Sequence, residues 1–126
     1  MKKTIMIVDD SIMTRNEIEH FLNGTNFEVI CQCRNGEEAL ETYETVKPNI
    51  VTMDIIMPGM DGIETSKCLI ERYPDAKIVI ISSLAYDKTL EMVKDLGSSI
   101  PFVFKPIDKS CFIDALLKVA YSSQTA

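Results

Sequence analysis

A chain of 126 residues, 46% of them hydrophobic, has the length of one domain and enough apolar surface for its own core. The formal net charge of -6 excludes broad neutralisation of nucleic-acid phosphates, which needs clustered Lys and Arg. No apolar stretch nears the roughly 20 residues that span a bilayer. The Met-Lys-Lys start has no signal-peptide pattern, so the expected location is cytoplasmic, with no membrane insertion.

Residues 4–8 read as a buried strand, followed by a helix over residues 11–23 in which Ile12, Ile18, Phe21 and Leu22 recur at helical spacing and Gly24 supplies the stop. Residues 27–31 form a second short strand. Asn35-Gly36-Glu37-Glu38 opens the next helix with a capping residue and early acids that complement the helix dipole, and Lys47-Pro48 ends it. Residues 50–53 are too short for a helix and β-branched, hence a central strand; the loop MPGMDG and a helix over 63–73 follow. The fourth strand covers 77–81, the fourth helix 88–96 with Gly97 as a left-handed cap, and the fifth strand 102–104. A last helix begins at Asp108, and residues 122–126 form a polar, fraying tail after a domain spanning 1–121. Strands and helices alternating through short connections predict a doubly wound parallel sheet with helices on both faces.

Four of the apolar runs stop at residues fit for phosphoryl chemistry: Asp9 and Asp10, Asp54, Ser82 and Lys105. In parallel strands of one sheet these ends share an edge, the edge where open α/β sheets bind ligands, so the five side chains should meet. Other chemistry-bearing residues read as structural. Cys31, Cys33, Cys68 and Cys111 are expected as free thiols, and Cys31 and Cys33, at alternate strand positions, as packing on one face rather than a metal site. His20, the only histidine, reads as a surface residue of the first helix.

Asp9-Asp10, Asp54 before MPGMDG, Ser82 and Lys105-Pro106, in this order and on these elements, closely resemble the CheY-like receiver domain of bacterial response regulators over essentially the whole chain. The resemblance implies a flavodoxin-like fold of strand order 2-1-3-4-5, with the site beside the first and third strands. It also implies that Asp54 accepts a phosphoryl group from a histidine kinase, with Ser82 and Lys105 assisting. Carboxylates about 5 Å apart repel by roughly 3 kcal/mol at an effective dielectric of 20, and Lys105 offsets only one of three. The excess predicts a divalent cation, and oxygen-only donors favour Mg²⁺. The resemblance assigns its ligands to Asp9, partly through water, Asp10, Asp54 and the backbone carbonyl of Ile56. It further implies a cis Lys105-Pro106 peptide and autocatalysed phosphorylation and dephosphorylation in place of conventional enzyme turnover.

By the same resemblance, Ser82 and Phe102 form the switch, and the surface of the fourth helix, fifth strand and fifth helix binds a protein target, with a phosphatase as a further partner. Phe102 replaces the common tyrosine and has no ring hydroxyl, and Ser98-Ser99-Ile100-Pro101 stands where receivers usually have a Gly-Ala step. Ile56 and Leu84 are apolar at positions that, by the resemblance, flank the path of attacking water, which predicts a long-lived phosphoryl state. A chemotaxis-type regulator is the leading reading. A phosphorelay intermediate, or a receiver fragment of a multidomain regulator such as a chemotaxis methylesterase, stands beside it. A haloacid-dehalogenase-type phosphatase needs a second Asp two residues after the nucleophile, and that position is Ile56.

Overall fold

A computed structural model describes residues 2–84, 87–97 and 99–121. The elements run β1 (Lys3–Val8), α1 (Ile12–Leu22), β2 (Phe27–Cys33), α2 (Gly36–Val46), β3 (Ile50–Asp54), α3 (Gly62–Arg72), β4 (Ile78–Ser82), α4 (Asp87–Leu96), β5 (Phe102–Phe104) and α5 (Lys109–Ala120). The strands form one parallel sheet, as the alternation of elements predicts, in the order β2-β1-β3-β4-β5, the flavodoxin-like order implied by the receiver resemblance. Its order reverses at β1 and β3, so the carboxyl ends of these two strands flank a crevice.

Alternation along the strands divides the core between the two faces. Ile5, Ile7, Ile50, Val79, Ile81 and Val103 pack with Ile18 and Leu22 of α1 and with Phe112 and Leu116 of α5. Met6, Val8, Val51, Met53, Ile78 and Ile80 pack with Ala39 and Tyr43 of α2, Leu69 of α3 and Val93 of α4. Each fully buried aliphatic side chain contributes about 2 kcal/mol, which is why three strands without a polar face hold the sheet centre.

Three expectations need correction, and one is met in an unexpected way. Ile12 is 62% exposed, and Arg15 takes the inward place beside Ile18 and Leu22, which are buried as expected. β2 continues to Cys33 after a register shift opposite Ile5 and Met6, which lets a strand predicted to stop at Cys31 stay paired with β1. Gly97 is not left-handed; among the described residues the positive-φ glycines are Gly24 and Gly59. α2 does stop at Lys47-Pro48, but Lys47 itself takes the left-handed cap, at φ 47, a conformation that asks a lysine to accept strain.

Candidate functional site

Each acidic side chain is delivered by the end of a strand. β1 runs out at Val8, and the Asp9 amide still donates to the Cys33 carbonyl at 3.0 Å, which carries the β1–β2 ladder into the site. Ser11 then caps α1 by accepting from the Thr14 amide, and its own amide donates to Asp9 Oδ1 at 2.9 Å. Asp54 is the last residue of β3 and pairs in register with Ile81 of β4. Its Oδ1 accepts from the Ile55 amide at 2.9 Å. The loop that follows turns back so closely that the Gly62 amide donates to the Ile55 carbonyl at 2.8 Å, and any side chain on Gly62 would overlap the Asp54 carbonyl.

Lys105 closes the ring. Its Nζ lies 3.0 Å from Asp9 Oδ2 and 3.4 Å from Asp54 Oδ1, while its amide donates to the Ser82 carbonyl at 3.0 Å. The Ser82 side chain is fully buried, and its Oγ accepts from the Leu84 amide at 3.2 Å. Asp9, Asp10 and Asp54 each present one carboxylate oxygen within 4.8 Å of the others, with Asp10 the exposed member. Asp9, Asp10, Asp54 and Lys105 therefore stand together as expected, and Ser82 is tied to them through its main-chain carbonyl. The Lys105–Pro106 peptide is cis.

Burial raises the Asp54 carboxyl to about 6, and the Asp9 carboxylate pushes it the same way against the pull of Lys105. Burial alone would lower the Lys105 ammonium, but the two carboxylates outweigh it and raise its pKa. The site is thus a strained cluster of negative charge with one cation among its acids. Three hard oxygen donors and no sulfur or imidazole fit Mg²⁺ in charge and ligand type.

The remaining sequence candidates have other surroundings. His20 is exposed on α1. Cys31 and Cys33 share a face of β2 with their sulfurs 3.9 Å apart, and burial pushes the Cys33 thiol up to about 12, so packing describes it. Phe102 is half-buried against the α4 side of the core, its ring 4.8 Å from that of Phe104. Ile56 is 54% exposed and brings only methyl groups to the position where a dehalogenase-type enzyme needs an acid. Sequence reading missed Arg15, which donates to the Asp9 carbonyl, and the reason for Gly62; the glycine closing MPGMDG was the available signal for the second.

The profile of the response regulator receiver domain matches residues 5–117. The chain belongs to that family. The chemotaxis protein CheY of Thermotoga maritima is 36% identical over 95% of this chain and 99% of its own length. A chain in the crystal structure of the CheX-CheY-BeF3-Mg+2 complex from Borrelia burgdorferi superposes with TM-score 0.87 at 29% identity, covering 93% of this receiver and 88% of that chain. A methylesterase/glutaminase from Archaeoglobus fulgidus is 37% identical over 81% of this chain but only 29% of its own length, so receivers of this kind also occur inside longer regulators. The protein is accordingly a phosphorylation-dependent response regulator, a signalling protein rather than a classical enzyme. Among the described residues no helix is long and apolar enough to cross a membrane.

Proposed function

We propose that Asp54 is the phosphoacceptor and that the chain works as a cytoplasmic, chemotaxis-type regulator: a histidine kinase supplies the phosphoryl group, and the α4-β5-α5 face takes a protein target. The observation that carries this reading is the placement of Asp54, buried at the end of β3 with one oxygen held by the Ile55 amide and Lys105. With that oxygen engaged, the other carboxylate oxygen is the one offered to phosphorus. As the new O–P bond forms, the P–N bond to the donor imidazole breaks, its electron pair stays on that nitrogen, and the ring leaves neutral with the proton its other nitrogen already carries.

Asp9, Asp10, Asp54 and the Ile56 carbonyl would hold Mg²⁺, which when bound neutralises charge on the phosphoryl oxygens. Lys105 carries its positive charge to the same oxygens, and Ser82 offers the hydroxyl that follows the phosphoryl group once attached. Ser82 Oγ accepts from the Leu84 amide, which leaves the hydroxyl proton for donation among the described residues, and its carbonyl bond to the Lys105 amide ties β4 to β5 at the site. Exchange of Leu84 for the phosphoryl group would repack Phe102 and Phe104 on β5. Met92 of α4, Phe104 of β5 and Leu117 of α5 are exposed apolar side chains on the three elements of the output face. The unit is residues 1–121, with 122–126, outside the described residues, as its tail.

Radiolabel passed from an autophosphorylated chemotaxis kinase should enter the wild type and not Asp54→Asn. The label should decay faster in Ile56→Asn, which places a water-orienting amide where the wild type has methyls. Equal labelling of Asp54→Asn removes the acceptor assignment; an unchanged decay rate removes the role given to Ile56.

A further inference from the structure

The inward stripe of α1 contains a charge. Arg15 is 8% exposed and is the one buried base among the described residues. Its Nη1 donates to the Asp9 carbonyl at 2.6 Å and its Nε to Gln32 Oε1 at 3.1 Å; Gln32 Nε2 in turn donates to Glu19 Oε2 at 2.9 Å. Among the described residues no carboxylate lies within ion-pair distance of the guanidinium. A buried cation without a counter-ion is costly, and its place behind an acidic cluster opposes the entry of another cation. Its fork geometry is what remains to account for it.

The Asp9 carbonyl belongs to the peptide that joins Asp9 to Asp10. Holding that plane restrains the backbone from which both carboxylates leave the chain. Asp9 has further anchors in the Ser11 amide and Lys105, whereas Asp10 shares neither of the Lys105 ion pairs. Aim at Asp10 must therefore come from the main chain.

We propose that Arg15 is a positioning residue for the cation site, its guanidinium, braced by Gln32, locking the Asp9–Asp10 peptide so that Asp10 points to the same place as Asp9 and Asp54. This rests on the Mg²⁺ reading of the acidic cluster. The two effects of Arg15 have opposite signs. Charge alone predicts that its removal tightens Mg²⁺ binding, and positioning predicts that removal weakens it.

Calorimetric titration of Mg²⁺ into the metal-free protein separates them, with fold checked by circular dichroism. Arg15→Met should weaken binding about tenfold or more, the usual result of removing a group that orients a metal ligand. Arg15→Lys keeps the charge and loses the fork, so it should weaken binding as well; Gln32→Ala, which removes the brace alone, should cause a smaller loss. Ile18→Val, one turn along the same stripe, should lower thermal stability and leave Mg²⁺ affinity unchanged. Wild-type affinity or tighter binding in Arg15→Met overturns the inference, as does wild-type affinity in Arg15→Lys should the Met variant not fold. No binding by the wild type itself would instead overturn the Mg²⁺ reading on which the inference stands.

Discussion

Asp54 is held in a state that the fold itself disfavours. Its carboxyl sits near 6 in the folded chain against an ordinary 3.8, so the folded state binds the proton more tightly than the unfolded state does. As pH rises from the ordinary value to about 6, stability from this group is lost, and above it the penalty is complete. Asp54→Asn should therefore raise metal-free stability by on the order of 2 kcal/mol at pH 7, with the gain shrinking toward zero near pH 4. Urea titrations in chelator across that range check it, and a gain that is the same at both ends would contradict the burial account. The acids were legible because each ends an apolar run. Arg15 was not, since its position shares the helical period of Ile18 and Leu22 but a pattern of apolar residues passes over a base held there by hydrogen bonds.

At the scale of elements, the site depends on how strands hand over to helices. The turn from β3 into α3 presses Gly62 against the main chain of Asp54, and Asp61 caps the helix by accepting from the Glu64 amide at 2.8 Å. Gly62→Ala must push the β3 end aside. It should destabilise the chain by about 2 kcal/mol or more and depress phosphorylation beyond what the loss of folded protein explains. Thermal melts compared with labelling per folded molecule test this, and full labelling in a destabilised variant would show that α3 does not set the Asp54 geometry. Elements with strong periodicity or capping residues were readable: Asn35, Asp61 and Asp108 all accept from an amide three residues on. Less readable were the stops. Gly97 looked like a cap and is not left-handed, while Lys47 is, because the backbone demand at a helix end comes from the chain that follows it.

Taken whole, the molecule is a sheet whose strand order turns crossover topology into a single crevice; the alternation of elements made the parallel sheet legible, and the receiver resemblance supplied its order. The residues meeting in the crevice were legible for the same reason. What no pattern in one chain predicts is the hydrogen-bond chain behind it, from Glu19 through Gln32 and Arg15 to Asp9, since such contacts join elements by side chains of no fixed spacing. The central claim is that this crevice directs one phosphoryl group to one carboxylate with help from a divalent cation. Intact mass and fragment mapping after acetyl phosphate treatment, with Mg²⁺ or with chelator, test it most directly. The account predicts a single phosphoryl adduct on Asp54 that appears with Mg²⁺ and is lost with chelator; an unmodified chain, or an adduct elsewhere that ignores the cation, would contradict it.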